Sequence, residues 1–218
     1  MMLISSRNLV ALVALGCISL VALLLLGQEF TAAVAKLIAS TTFVALAINV
    51  GGLRSLYGRI VLLGLVCSWF GDAFLIGKTQ YAFLAGLGAF LLAHVAYIAA
   101  FVIKGMDRLW VGMAAVPIAA VAIIVTMWLA PHIPPELVIP VRVYTAAISL
   151  MVIAAFGTRG RGASILILAG AVLFFLSDLS VAALRLVETD FPTYVWGLPL
   201  YYAGQVCLAV SVSQSRSH

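Results

Sequence analysis

Eight apolar stretches of about 20 residues each divide almost the whole chain between them. A helix needs roughly 20 mainly apolar residues to cross about 30 Å of hydrocarbon, so each stretch is long enough to span a membrane. The stretches cover residues 8–27, 33–51, 59–76, 82–103, 109–129, 138–156, 163–185 and 193–213. The joins are too short to hold a water-soluble domain. We therefore predict one all-α domain over residues 1–218, a polytopic membrane bundle of about eight transmembrane helices.

The composition excludes a water-soluble protein. Hydrophobic residues make up 65% of the 218 residues, charged residues make up only 9%, and the mean hydropathy is +1.24. Soluble domains are roughly 45–50% apolar. The first stretch follows Arg7 as a signal peptide would, but its apolar run from Leu9 to Gly27 is long for a signal core, which predicts a retained helix. We expect a multi-pass integral protein of the cell (inner) membrane.

Charged residues are concentrated at the ends of the predicted helices and indicate the orientation. Cytoplasmic loops of membrane proteins carry the excess of Lys and Arg. One side carries Arg7, Arg54, Arg59, Lys104, Arg108, Arg159, Arg161 and Arg216 with only Asp107 as an acid, and the other carries Lys36, Lys78, Arg142, Arg185, Glu29, Glu136, Glu188 and Asp190. We therefore predict that both termini are cytoplasmic. The net charge of +5 follows from this pattern, and no basic patch indicates nucleic-acid binding.

Two aspartates, Asp72 and Asp178, interrupt the apolar helices. An ionisable group at membrane depth costs at least ~2.5 kcal/mol, so such residues usually have a function. Counting ~1.5 Å of rise per residue from the inner end of each helix places Asp72 at ~20 Å, Asp178 at ~25 Å and His94 at ~15 Å. Separate helices thus bring polar residues to the same outer half of the membrane. We predict a polar cavity there.

Helical spacing indicates which polar residues share a face, because residues i and i+4 lie one above the other. Ser68 shares a face with Asp72, and Arg185 lies two turns beyond Asp178. We infer that these faces point into the bundle, since lipid-facing polar groups would be penalised. The candidate site residues are Lys36, Ser68, Asp72, His94, Tyr97, Arg142, Ser177, Asp178, Arg185, Tyr201, Tyr202 and Gln205.

Several of these residues also have purely structural interpretations. A buried Asp can hydrogen-bond a neighbouring backbone or pair with Arg185, and a single membrane histidine such as His94 is more often a core residue than a base. Lys36 and Arg142 can extend their charges to the outer interface. The two tyrosines of the last helix can be interfacial aromatics. Two acids at similar depth nevertheless favour a functional site.

Other chemistries fit the sequence less well. Catalytic zinc normally uses three protein ligands, whereas His94 is accompanied in the membrane only by the two aspartates, and the three cysteines lie within helices as small hydrophobes. A Ser-His-Asp triad can be drawn from Ser68 or Ser177, but no G-x-S-x-G motif occurs. Gly86 and Gly88 indicate close helix packing. We therefore predict no metal and no cofactor.

Four short motifs occur in order along the chain: Trp69-Phe70-Gly71-Asp72-Ala73-Phe74-Leu75, Gly86-x-Gly88-x-Phe90 followed by His94-x-x-Tyr97, Ser177-Asp178, and Tyr201-Tyr202-x-x-Gln205. Together, over about residues 30–213, they resemble the YhhN family of membrane proteins, which includes the animal lysoplasmalogenases. The resemblance implies about eight helices and cleavage of the vinyl-ether bond of a lysoplasmalogen to a fatty aldehyde and a glycerophospho-ethanolamine or -choline. The catalytic positions that it carries over are Asp72, His94, Tyr97, Asp178, Tyr202 and Gln205.

Acid–base chemistry by two carboxyl groups is consistent with this activity. Protonation of a vinyl ether gives an oxocarbenium ion, and two carboxyl groups can divide the work as in glycoside hydrolysis. Because Arg185 shares a face with Asp178, we expect Asp178 to stay ionised and Asp72 to donate the proton. The residues expected to orient water and the ether oxygen are His94, Tyr97, Tyr202 and Gln205. Those expected to contact the substrate are Lys36, Arg142 or Arg185 at the phosphate, together with Ser68, Ser177 and Tyr201.

A small proton-coupled transporter or a lipid-binding membrane protein is the alternative, since paired acids in a bundle can relay protons. A structural or assembly factor of the membrane is a third interpretation. No predicted helix is visibly broken, and Pro117 is the only proline well inside a predicted span, which favours the hydrolase. The expected partners are a lysophospholipid substrate and membrane lipid, with no nucleic acid. The oligomeric state stays open.

Overall fold

The computed structural model describes residues 5–187 and 189–213, and within these ranges the chain forms helices and no β-strand. The helices are α1 (Ser6–Leu25), α2 (Glu29–Asn49), α3 (Leu56–Phe74), α4 (Gln80–Lys104), α5 (Arg108–Leu129), α6 (Val138–Arg159), α7 (Ile165–Ala182) and α8 (Tyr194–Ser211). Short 3₁₀ turns at Ala130–His132 and Pro135–Leu137 join α5 to α6, and a π-helical turn at Ala183–Val187 extends α7. Glu188 and Arg216, which entered the charge argument, lie outside the described residues.

The predicted all-α membrane bundle is confirmed. In the described part of the chain, seven helices are long and apolar enough to cross a membrane. The remaining helix, α8, has 18 residues and carries Tyr201, Tyr202 and Gln205, which are all buried. Its lower hydropathy therefore reflects polar groups that face the interior. The observed helix bounds differ from the predicted stretches by a few residues.

Five helices begin at a side chain that caps their first turn. Ser5, Ser55, Thr79, Asp107 and Ser164 each accept a hydrogen bond from a backbone N–H one turn into α1, α3, α4, α5 and α7, respectively. Such caps satisfy backbone donors that a helix start leaves unpaired. The short polar joins of the sequence thus set where each apolar run becomes a helix.

Neighbouring helices along the chain pack as pairs, with α1 against α2, α3 against α4, and α7 against α8. Contacts of α8 with α1 and α2, and of α6 with α4 and α7, close these pairs into a bundle, while α5 packs chiefly against α6. Fully buried side chains at its centre include Phe43, Leu65, Tyr97, Phe101, Phe174 and Leu208. The exposed apolar side chains of α1 and α5 form the outer surface, as expected for helices that face lipid.

Glycines allow the closest helix contacts. A Cβ atom added at Gly170 of α7 would lie 2.7 Å from Leu208 Cγ and 3.0 Å from the carbonyl oxygen of Gly204, so α7 and α8 touch backbone to backbone there. The prediction of close packing holds for Gly86, where a Cβ would lie 2.7 Å from a Leu75 methyl group. It is wrong for Gly88, which is exposed and has open space around it. Residues i and i+2 point to opposite sides of a helix, so the two glycines do not share an interface.

Proline does not break the helices that contain it. Pro117 lies inside α5, as predicted. The sequence-based statement that no other proline lies well inside a span is wrong, since Pro199 lies inside α8. Both helices are continuous through their prolines, in line with the tolerance of membrane helices for this residue.

We predict that Gly170→Ala destabilises the protein by about 1–3 kcal/mol, because the added methyl group meets Leu208 and a backbone carbonyl that has little freedom to move. The matched control is Gly112→Ala on α5, where a Cβ would have open space and the better helix former adds up to ~1 kcal/mol of stability. Thermal unfolding of both variants in detergent is the measurement. Equal midpoints for the two variants would contradict the close α7–α8 contact.

Candidate active site

A cavity of about 810 Å³ lies within the bundle and is lined by side chains from all eight helices. Its wall is mostly apolar. The charged residues that line it are Glu29, Lys36, Asp72, Lys78, Asp178 and Arg185. The structure therefore brings both membrane aspartates to one cavity, together with three of the four cations on the predicted outer side.

Asp72 is held by side chains from two other helices. Its Oδ2 accepts hydrogen bonds from Ser40 Oγ and Tyr201 OH, each at 2.6 Å, and its Oδ1 lies 3.3 Å from Lys36 Nζ. The Asp72 residue is only 2% exposed. Charge-assisted hydrogen bonds of this kind stabilise a carboxylate that is removed from water. Asp72 thus belongs to a compact polar cluster at the meeting point of α2, α3 and α8.

Asp178 has a different environment. Its Oδ2 accepts one hydrogen bond, from Tyr144 OH of α6 at 2.6 Å, and lies 3.7 Å from His94 Nε2 of α4. No lysine or arginine in the described part of the chain forms an ion pair with it. Its side chain is 16% exposed and reaches the cavity. Asp178 is therefore the more accessible acid and has fewer polar partners than Asp72.

Aromatic rings separate the two acids. The ring of Tyr201, which donates to Asp72, packs against the ring of Phe174 with centroids 5.4 Å apart. Phe174 in turn packs against His94 at 4.8 Å, and His94 lies beside Asp178. The two carboxyl groups therefore occupy separate polar clusters on either side of an apolar partition.

His94 is completely buried behind Asp178 and is not part of the cavity wall. Its ring packs edge-on against Tyr144, with centroids 5.0 Å apart. Neither ring nitrogen has a hydrogen-bond partner among the described residues. Buried polar groups usually have partners. The short distance from His94 to Asp178 thus makes this histidine a neighbour of the acid, not a group that contacts a molecule in the cavity directly.

Four further candidate residues are buried behind the cavity wall. Tyr97 OH donates to Gln205 Oε1 at 2.9 Å, and Tyr202 OH donates to the carbonyl of Lys36 at 3.2 Å. Ser68 of α3 is also fully buried, and it precedes Asp72 by one helical turn. None of these side chains is in the described cavity wall. Tyr202 OH also lies 3.3 Å from Ser40 Oγ, so Tyr202 borders the Asp72 cluster.

The remaining predicted residues divide between the cavity and the outer surface. Ser177 lines the cavity, although its hydroxyl donates to the carbonyl of Phe174 in its own helix. Arg185 also lines the cavity. Arg142 does not: it is exposed and lies in a separate shallow groove of about 250 Å³ between α5 and α6. The structure does not bring Arg142 together with the other candidate residues.

The expected pairing of Asp178 with Arg185 is not formed. The Arg185 guanidinium instead donates to the carbonyl of Leu75 at the end of α3, at 3.4 Å, and lies 5.9 Å from the Phe83 ring centroid. The regular helix ends at Ala182, and a π-helical turn has more residues per turn than an α-helix. Arg185 is therefore rotated away from the stripe that the sequence spacing assigned to it. The ion pair forms instead between Lys36 and Asp72.

Two site residues were missed by the sequence analysis. Ser40 bonds to Asp72, and Tyr144 bonds to Asp178. Ser40 lies four residues after Lys36 on α2, so the shared helical face was a usable signal. Tyr144 has no charged residue three or four positions away on α6, so helical spacing gave no signal for it.

Metal ligands do not gather in this region. In the described ranges, no three His, Cys, Asp or Glu side chains lie close enough together to hold a metal ion. Asp72 and Asp178 instead have hydroxyl, ammonium and imidazole neighbours. The absence of a metal or cofactor requirement stays a prediction.

We predict that Lys36→Met lowers the free energy of unfolding by about 3 kcal/mol, because it leaves the buried Asp72 carboxylate without its ion partner. The double variant Lys36→Met/Asp72→Asn removes both charges and should recover most of this loss. Chemical or thermal unfolding in detergent gives both values. Equal destabilisation by the single and the double variant would show that Lys36 contributes by packing alone.

The YhhN family model matches residues 30–212 of the chain. Lysoplasmalogenase TMEM86B of Sus scrofa is 34% identical over 157 residues, which are 69% of this chain and 62% of that protein. Lysoplasmalogenase TMEM86A of Bos taurus is 32% identical over 165 residues, 72% of this chain and 66% of that protein. The chain spans slightly less than two thirds of each relative, and no solved structure matches it. The protein belongs to the YhhN family.

Proposed function

We propose that this protein is a membrane-embedded lysoplasmalogenase-like hydrolase that cleaves the vinyl-ether bond of a lysoplasmalogen. Family membership and relatives named lysoplasmalogenase support the reaction type. The observation that carries the proposal is that two aspartates in different environments line one lipid-sized apolar cavity. The reaction consumes one water and yields a fatty aldehyde and a glycerophospho-ethanolamine or -choline.

Vinyl ethers are stable to base but reactive toward acid. Proton transfer to the outer alkene carbon leaves an oxocarbenium ion at the carbon bonded to oxygen. Water adds to that carbon with loss of a proton, and the resulting hemiacetal breaks down to the aldehyde and the free glycerol hydroxyl. The reaction therefore needs one proton donor and one proton acceptor, as glycoside hydrolysis does.

We assign Asp178 as the proton donor and Asp72 as the acceptor. Lys36, Ser40 and Tyr201 all stabilise a negative charge on Asp72. Asp178 receives a single hydrogen bond and has no cationic lysine or arginine beside it in the described structure, which favours its neutral acid form. This assignment reverses the one that helical spacing suggested, because the ion pair forms at Asp72 and not at Asp178.

A complete cycle returns both protons. Asp178 first gives its proton to the alkene carbon, and Asp72 takes a proton from the attacking water. In the breakdown of the hemiacetal, the Asp178 carboxylate takes the hydroxyl proton while Asp72 protonates the departing glycerol oxygen. Both acids are then in their starting forms, so no net proton enters or leaves the cavity.

The other polar residues position these two acids. Tyr144 donates a hydrogen bond to Asp178 from the cavity wall, His94 lies behind Asp178, and Tyr201 fixes Asp72. Behind the cavity wall, Tyr97 and Gln205 join α4 to α8, Tyr202 joins α8 to α2, and Ser68 is buried in α3. Arg185 supplies positive charge for the phosphate, Lys36 stays paired with Asp72, and Ser177 contributes a polar edge to the cavity wall. The apolar wall accommodates the hydrocarbon chain.

The orientation follows the charge distribution. The basic ends of the helices, such as Arg59 at the start of α3 and Lys104 at the end of α4, lie opposite the end that carries Glu29 and Lys78. We propose that both termini face the cytoplasm and that the cavity opens toward the outer face of the inner membrane.

We predict that the purified protein in detergent releases aldehyde from a lysoplasmenyl-ethanolamine. Asp72→Asn and Asp178→Asn should each lower turnover at least ~100-fold, the usual minimum for loss of a general acid or base. The matched control is Asp107→Asn, which keeps a good capping side chain at the start of α5 outside the cavity and should leave turnover unchanged. Enzyme-coupled detection of the aldehyde gives the rates.

Full turnover in both aspartate variants would exclude the acid pair as the catalytic groups. No turnover of any vinyl-ether lipid by the folded wild-type protein would contradict the hydrolase itself. A proton-coupled transporter would instead move lipid across proteoliposomes without releasing aldehyde, so the same preparation separates these two classes.

We predict that Arg185→Gln raises KM about tenfold with little change in kcat, because Arg185 lines the cavity and holds the phosphate equally in the ground and transition states. Arg142→Gln serves as the matched control, since Arg142 lies in the groove outside the cavity. Steady-state kinetics on both variants is the measurement. A larger effect from Arg142 would relocate the phosphate site to the α5–α6 surface.

A further inference from the structure

Charged side chains line the cavity at two levels. The lower level contains the ion pair of Lys36 and Asp72 together with Asp178, and the upper level contains Glu29, Lys78 and Arg185. Glu29 and Arg185 are exposed, so the cavity reaches the surface at the upper level. The aspartates of the proposed reaction lie at the lower level. The upper level has no role in the bond cleavage described above.

Two helices give the same separation between the levels. Glu29 and Lys36 are seven residues apart on α2, and Asp178 and Arg185 are seven residues apart along α7 and its π-helical extension. Seven residues correspond to about 10 Å of helix rise. The spacing therefore places a second group of charged residues about 10 Å above the two aspartates.

This distance matches the spacing of groups in a lysophospholipid. Six bonds join the vinyl-ether carbon to the phosphorus, which is roughly 7–8 Å when the chain is extended. Four more bonds lead to the head-group nitrogen, which then lies about 12 Å from the vinyl-ether carbon. With the vinyl ether at the lower level, the amine reaches the upper level, and the phosphate lies roughly 2–3 Å below it, within reach of the long Lys78 and Arg185 side chains. The two cations and one anion there complement a phosphate and an ammonium group.

The contact between Glu29 and Lys78 shows what the carboxylate can bind. Lys78 Nζ donates to both carboxylate oxygens of Glu29, at 2.7 and 2.6 Å. The Lys78 ammonium is a primary ammonium ion, chemically equivalent to that of ethanolamine. The Glu29 and Lys78 side chains are 66% and 75% exposed, so this ion pair is exchanged at little cost.

We propose that Glu29 binds the primary ammonium of an ethanolamine head group, displacing Lys78, which then joins Arg185 at the lipid phosphate. Glu29 and Lys78 each exchange one partner for another of the same sign, and Arg185 gains a charged partner in the phosphate. A quaternary choline has no N–H to donate and gains only the charge interaction with Glu29. An anionic head group such as phosphoglycerol gains nothing from Glu29. The choice of an amine-bearing substrate rests on the proposed hydrolase function, but the binding site itself does not require turnover.

The test uses saturated 1-O-alkyl lysophospholipids, which lack the vinyl bond and are not cleaved by this chemistry. Equilibrium binding to the purified full-length protein in detergent is measured for phosphoethanolamine, phosphocholine and phosphoglycerol lipids of equal chain length. The wild-type protein should bind the ethanolamine lipid about tenfold more tightly than the phosphoglycerol lipid, with the choline lipid between them. Glu29→Gln should abolish this preference and leave phosphoglycerol binding within about twofold of wild type.

Glu136→Gln is the matched control, since Glu136 is an exposed acid at the same end of the bundle, bonded to Gln80 and outside the cavity. It should bind all three lipids as the wild-type protein does. Equal affinity of the wild type for the three head groups, or an unchanged preference in Glu29→Gln, would overturn the head-group site. Thermal unfolding of each variant verifies that it is folded.

The failure of this site and the failure of the proposed reaction give different results. Selective binding that depends on Glu29, without aldehyde release from the matching vinyl-ether lipid, would support the site and reject the hydrolase. Aldehyde release with no head-group preference would support the hydrolase and reject the site.

Discussion

The buried carboxylate of Asp72 is the constraint on which the architecture around the cavity depends. A charge removed from water inside a lipid-facing bundle must be compensated by groups of the protein itself. Lys36 and Ser40 supply this compensation from α2, and Tyr201 supplies it from α8. Because these donors must converge on one carboxyl group of α3, they fix how three helices approach one another. The place where α2, α3 and α8 meet forms one side of the cavity wall.

Asp178, on the opposite side of the cavity, has surroundings that differ from those of Asp72. Asp178 has one phenol donor and a buried imidazole nearby, and aromatic rings separate it from the Asp72 cluster. Two carboxyl groups with unlike surroundings can hold different protonation states in one cavity. Acid–base catalysis needs this difference. The partition formed by Phe174 and Tyr201 therefore has a chemical consequence as well as a packing role.

The π-helical turn after α7 decides where Arg185 lies in the cavity. It directs Arg185 toward the end of α3 and away from Asp178, so the lower acid keeps its apolar surroundings while the upper level gains a cation. In the proposed reaction, bond cleavage takes place at the lower level and the head-group charges bind at the upper level of the same cavity. In this proposal, the lipid is held by its polar end while its reactive bond faces the part of the cavity wall that both acids line.

The number of helices, their approximate bounds and the two aspartates within them could all be predicted from the sequence, and both aspartates line one cavity. Helix length relative to bilayer thickness, capping residues, and the cost of a charge in hydrocarbon all act locally, so these features can be predicted from the chain alone. The partner of each acid was decided by the tertiary structure. Helical spacing assigned Arg185 to Asp178 and overlooked Ser40 and Tyr144, and it grouped Gly88 with Gly86.

The partners of the two acids could not be predicted from the sequence because lipid and the protein interior are both apolar. Membrane helices are hydrophobic on all sides, so the apolar pattern that reveals the buried face of a soluble helix is weak here. Spacing along one helix shows which residues share a face, but not which neighbouring helix that face meets. Small shifts, such as the π-helical turn before Arg185, then redirect a side chain completely. Only the packed bundle decides that Lys36 meets Asp72, that Tyr144 meets Asp178, and that Arg142 faces away from both.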